Sequence, residues 1–76
     1  MLLSLNSFNK VKDFVNAITP LDIDVNLISG RYVVNAKSVM GIFSLDLSKP
    51  VEAVTTSTPS EEELGQIRSI MKKFEA

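Results

Sequence analysis

The apolar residues change period along the chain, and each change marks an element. Phe8, Val11, Val15 and Ile18, with Phe14 beside them, recur at spacings of three and four, while Asn9, Lys10, Lys12, Asp13 and Asn16 occupy the other side. That spacing predicts an amphipathic helix with one buried stripe. Ser7, or else Asn6, is its N-cap. Thr19-Pro20 ends it, because the residue before a proline is pushed out of the α region. Ahead of the helix, Leu3 and Leu5 alternate with Ser4, which predicts a short first strand.

Beyond Pro20 the period falls to two. Ile23, Val25 and Leu27 alternate with Asp22, Asp24 and Asn26, the pattern of a strand with one wet face. Ser29-Gly30 then turns the chain into a second β-branched run over residues 31–35, so the two segments read as a hairpin. A fourth strand is predicted over residues 50–56, rich in Val and Thr, with Pro50 at its first position, where a missing N–H is tolerated. Leu64, Ile67, Ile70, Met71 and Phe74 form the stripe of a closing helix. Its start offers two capping boxes, Thr58 with Glu61 or Ser60 with Glu63, and Gly65 inside it costs about 1 kcal/mol relative to Ala.

Between the hairpin and the fourth strand lies a segment that fits neither period. Val39, Met40, Ile42, Phe43 and Leu45 are too dense for an alternating strand and too many for the buried face of a short helix beginning at Ser38. Ile42 and Leu45 are the better core residues, so Val39, Met40 and Phe43 are expected at the surface. The element order is βαββαβα in a single domain over residues 1–76. Each helix has one stripe to bury and the strands have one wet face. The economical solution is an α+β fold of two layers, with helices on one face of a four-stranded, mainly antiparallel sheet.

Composition narrows the chemistry. Hydrophobic content of 45% is that of a globular protein, and 8 basic against 9 acidic residues leave a net charge of -1. There is no basic excess to draw nucleic acid or anionic lipid. The absence of Cys and His removes thiolate and imidazole chemistry, and with them the commonest metal ligands. No stretch approaches the roughly 20 apolar residues of a membrane helix. A cytoplasmic location without membrane association is the expectation.

The segment Asn-Ala-Lys-Ser-Val-Met-Gly-Ile-Phe-Ser-Leu, residues 35–45, resembles the NxKSIMGxxSL signature of HPr, the histidine-containing phosphocarrier family of the bacterial sugar phosphotransferase system. The resemblance implies an open-faced β-sandwich with strand order 1-4-2-3. It also implies a phosphate-carrying histidine before the first helix, in a pattern like GxHARPA. Counted back without gaps, the histidine position falls on Ser7, the arginine on Asn9 and the proline on Lys10. A serine phosphomonoester lacks the transfer potential of a phosphoramidate, and asparagine lacks the arginine's bidentate fork. Phosphocarrier activity is therefore expected to be absent, and Ser7 to act as a cap.

Ser38 matches the family's regulatory serine, which a dedicated kinase phosphorylates in Gram-positive relatives, and it would also cap the short helix in any case. Val39, Met40 and Phe43 match the apolar residues through which the family docks its proteins. The expectation is thus a regulatory or protein-binding module of the catabolite-regulation kind. Its implied partners are an HPr kinase or a regulator. A structural homodimer joined through the same patch, or a phosphocarrier using another residue, is the alternative. No catalytic group, cofactor or metal site is expected: Glu61, Glu62 and Glu63 point in different directions on a helix and suit its first turn, and Asp22 and Asp24 share a strand's wet face with no base, nucleophile or second acidic cluster that the sequence can place nearby.

Overall fold

The computed structural model describes residues 1–56 and 59–76. The described residues form four strands and three helices: β1 (Leu2–Leu3), α1 (Phe8–Ile18), β2 (Val25–Ser29), β3 (Tyr32–Asn35), α2 (Val39–Phe43), β4 (Val51–Thr55) and α3 (Glu61–Lys72). The strands form one sheet in the order β1-β4-β2-β3, and every neighbouring pair is antiparallel. The fold is the two-layer open-faced β-sandwich that the pattern and the resemblance imply.

Alternation along the strands sets the two faces. Leu3, Val25, Leu27, Val51 and Ala53 point into the core, with Leu2, Asn26, Ile28, Glu52 and Val54 on the open side. From the helical layer, Val11, Phe14, Val15 and Ile18 of α1, Ile42 of α2, and Ile67 and Met71 of α3 close the core. Phe14 meets Phe74 edge-on at 5.5 Å between ring centres, which locks α1 to the end of α3. No polar or charged side chain is buried among the described residues. The core is apolar throughout.

The turns follow from their residues. Gly30, at φ 60, is the first of two loop residues between Ser29 and Tyr32. This is the position at which a type II′ hairpin turn calls for glycine. The Ser60 hydroxyl accepts the Glu63 amide at 3.2 Å and the Glu63 carboxylate accepts the Ser60 amide at 2.9 Å, a complete capping box at the start of α3. The alternative cap, Thr58, lies outside the described residues.

Four expectations need correction. Thr19, before Pro20, stays in the α region at φ -56 and ψ -40, so α1 ends without the residue before the proline leaving that region. The first strand is Leu2–Leu3 rather than an alternation centred on residues 3–5. At Ser4 the chain already turns aside to donate its amide to the Phe74 carbonyl, 2.7 Å away, and Leu5 is buried beyond the strand. The second strand begins at Val25, since Ile23, though buried, precedes the ladder. Phe8, placed on the buried stripe by its spacing, is 62% exposed. It is the first residue of α1 and is in phase with the stripe, but the core ends before it.

Candidate functional site

Two serines, each at a helix start, frame the surface where Phe8 emerges. Ser7 is extended, at φ -145 and ψ 155, and its hydroxyl accepts the Lys10 amide at 3.2 Å. This is the N-cap that serine supplies best, and it orients the first turn of α1 so that Phe8, Asn9 and Lys10 all lie at the surface.

The second serine follows β3. Asn35 ends the strand by accepting the Lys37 amide on its own side chain at 2.8 Å, while its carbonyl takes the Ser38 amide at 3.0 Å. This local turn is one that asparagine forms readily. Lys37 reaches back to donate its ammonium to the Leu21 carbonyl, tying the turn to the connection after α1. Ser38 then caps α2, accepting the Gly41 amide at 3.1 Å. Gly41 is packed tightly: a Cβ there would stand 3.1 Å from Ser38 Oγ and 3.4 Å from Val34 Cβ. Glycine lets α2 settle closely on the end of β3.

With α2 seated in this way, only Ile42 of its five residues is buried. Val39 is half-buried against the core, Phe43 is 39% exposed and Met40 is 82% exposed. Phe43 stacks on Phe8 with ring centres 5.6 Å apart and planes within 13°. The start of α1 and the end of α2 are thus joined by an aromatic pair that is open to solvent, with Met40 one turn back on the same side of α2. The expected surface residues Met40 and Phe43 are exposed, Val39 lies at the margin, and Phe8 joins them. Periodicity alone concealed Phe8; its position at the very start of the helix, with no turn before it to carry a cover, was the available signal.

No group of three acidic, Cys or His side chains able to hold a metal exists among the described residues. A depression of about 550 Å³ lies elsewhere and is lined by Arg31, Tyr32, Ser44, Asp46 and Lys49 among others. Its one carboxylate is committed: the Ser48 hydroxyl and amide both donate to Asp46 and, with the charge of Lys49, hold its carboxyl below the usual aspartate range. The Phe8, Met40 and Phe43 surface presents large apolar side chains to solvent. No helix among the described residues is long and apolar enough to cross a membrane.

No family model matches the chain, and no curated protein matches its sequence. Solved structures do match its shape. HPr-C-His from Thermoanaerobacter tengcongensis superposes with a TM-score of 0.69 at 23% identity, over 93% of this chain and 81% of that one. Crh, a catabolite-repression protein of Bacillus subtilis whose crystal structure is a domain-swapped, intertwined dimer, superposes with a TM-score of 0.66 at 24% identity, over 100% of this chain and 87% of that one. At these identities the likeness establishes an HPr-like fold.

Proposed function

We propose that this chain is a regulatory, protein-binding module on the HPr-like fold, with neither phosphocarrier nor enzymatic activity. The observation that carries the proposal is the solvent-open cluster of Phe8, Met40 and Phe43 beside two capping serines. Large apolar side chains clustered at the surface of a small protein cost solubility and mark a contact site. Methionine and phenylalanine suit such a site because they bury much area in adaptable or rigid form.

Phosphocarrier chemistry lacks its group. The sequence contains no histidine, Ser7 stands at the family's histidine position and is used as a cap, and Asn9 stands where the family has arginine. Incubation with phosphoenolpyruvate and enzyme I is expected to add no acid-labile phosphate in intact-mass spectra. A labile phosphate would end the proposal.

Regulation is assigned to Ser38. Its surroundings, Lys37-Ser38-Val39-Met40-Gly41, match the family's regulatory segment, and a phosphate on its hydroxyl would place negative charge at the start of α2, two residues from Met40. An HPr kinase with ATP is expected to add one acid-stable phosphate that Ser38→Ala abolishes. Failure of that modification removes the regulatory half and leaves Ser38 as a cap. A second reading, in which the same patch joins two copies of the chain, has in its favour that the Crh neighbour is a dimer. Sedimentation of Met40→Lys against the wild type separates the two, since only a patch-mediated dimer is lost.

A further inference from the structure

The two edges of the sheet are finished differently. Beside β1 the outer edge is occupied: Leu3 bridges Glu75, the Ser4 amide donates to the Phe74 carbonyl at 2.7 Å, and the Ala76 amide donates to the Leu2 carbonyl at 3.0 Å. Beside β3 no strand lies among the described residues. Bare edges are ordinarily guarded by lysine, proline or a bulge within the strand. β3 is Tyr-Val-Val-Asn, with a regular register and strong strand formers, and Tyr32 and Val33 are 69% and 58% exposed.

The direction of its backbone groups is fixed. The Ala36 amide donates to the Val25 carbonyl of β2 at 2.9 Å. The two-residue loop makes Ser29 and Tyr32 a hydrogen-bonded pair. Hydrogen bonding alternates along an antiparallel strand, so Tyr32, Val34 and Ala36 face β2 while Val33 and Asn35 direct their amides outward.

We infer that two copies of this chain join through β3, antiparallel about a two-fold axis beside Val33, as one continuous eight-stranded sheet with the helices on one face. Of the registers that set outward groups against outward groups, this is the one that pairs residues 31, 33 and 35 among themselves: Val33 opposes Val33 of the second copy, and Arg31 opposes Asn35. A slip by one residue breaks that match and throws the helices to opposite faces. On the helical side Tyr32 then lies opposite Val34 of the second copy, twice by symmetry, an aromatic and β-branched pair of the kind that stabilises sheets. On the open side the row Ile28, Val33, Val33, Ile28 runs unbroken across the axis, because Ile28 and Val33 are cross-strand neighbours in each copy. No like charges face each other. The occupant is a second copy because this edge is its own complement, residue for residue, as a two-fold contact requires. With the β1 edge occupied, association stops at two.

Sedimentation from micromolar to millimolar concentration tests this. The mass is expected to rise from 8.4 kDa to twice that value. Val33→Pro removes an amide that β2 does not use and is expected to hold the chain monomeric. Val33→Lys sets like charges together at the axis and is expected to weaken association by roughly tenfold or more, which decides the matter if the proline variant does not fold. Met40→Ala is expected to leave association unchanged, since the inference is independent of the Phe8, Met40 and Phe43 surface. In the wild type, hydrogen exchange at the Val33 and Asn35 amides is expected to slow as concentration rises. A wild-type chain that stays monomeric at millimolar concentration overturns the inference. So does a dimer that survives Val33→Lys or leaves those two amides unprotected.

Discussion

α2 and α3 both start at a serine cap, and they differ in almost everything else. α3 runs for 12 residues with a reciprocal capping box, Glu61, Glu62 and Glu63 in its first turn, Lys72 in its last, and a stripe of which Ile67 and Met71 are buried. Each local rule favours the helix that forms there. α2 has five residues, no acid in its first turn, no base in its last, and two large apolar side chains in solvent. It is held by the burial of Ile42 and by the close seat of Gly41 on Val34. A segment whose composition serves its own helix poorly and exposes large apolar side chains departs from the local rules, as the proposed contact surface would require.

The largest test of this contrast lies within α2. Ile42→Ala is expected to cost about 2 to 5 kcal/mol, near half of the roughly 4 to 11 kcal/mol that a chain of this length has in all. Met40→Ala is expected to stay within about 0.5 kcal/mol. Urea unfolding midpoints measure both, and a Met40→Ala variant as weak as Ile42→Ala would make α2 an ordinary core helix.

Next in size is the aromatic stack. A double-mutant cycle of Phe8→Ala and Phe43→Ala is expected to give a coupling of about 0.5 to 1.5 kcal/mol, which shows the pair to be formed in solution. A coupling of zero would leave the two rings as separate exposed residues.

The glycines of the two helices sharpen the contrast further. Gly65 of α3 has nothing within 4 Å of a would-be Cβ, so Gly65→Ala is expected to raise stability by about 0.5 to 1 kcal/mol. Gly41→Ala makes the same exchange in α2, but the new methyl meets the capping hydroxyl at 3.1 Å and the Cβ atoms of Ser38 and Val34 at 3.3 and 3.4 Å. Those carbons are fixed to the backbone and cannot swing away. The helix gain is expected to be lost and stability to fall by about 1 kcal/mol.

The smallest effect belongs to the loop that leaves α2. Asp46 is held below its usual pKa by the Ser48 bonds. Its contribution is therefore present above the ordinary aspartate range and lost as pH falls through the lowered value. Ser48→Ala is expected to raise the Asp46 pKa in a carboxyl-carbon NMR titration and to lower stability slightly at neutral pH, a difference that disappears once the pH falls below the lowered value. A titration that does not move would deny the bond.

The same contrast explains what was readable beforehand. α1, the hairpin and α3 announce themselves because period, caps and turn residues agree, and Ser7, Ser38 and the Ser60–Glu63 box all stand where the sequence puts them. The strand order came through the resemblance of residues 35–45 and not through any pattern of pairing. Phe8 was misplaced because a period tells which way a side chain points and not how far the opposing layer extends. The bounds of β1 shifted because its partners are Val51, Glu52 and Glu75, remote residues that no local signal names.

That remoteness has a kinetic side. The terminal amine of Met1 donates to Glu52, 51 residues along the chain, and β1 closes against residues near position 75 as well. The hairpin of β2 and β3 needs only a two-residue loop. Loop closure grows costlier with separation, so the hairpin can nucleate early while β1 must wait for the far segments to be in place. With two residues and the longest closures among the described residues, β1 is expected to be the last strand to dock on the folding path and the first to be released on the way back.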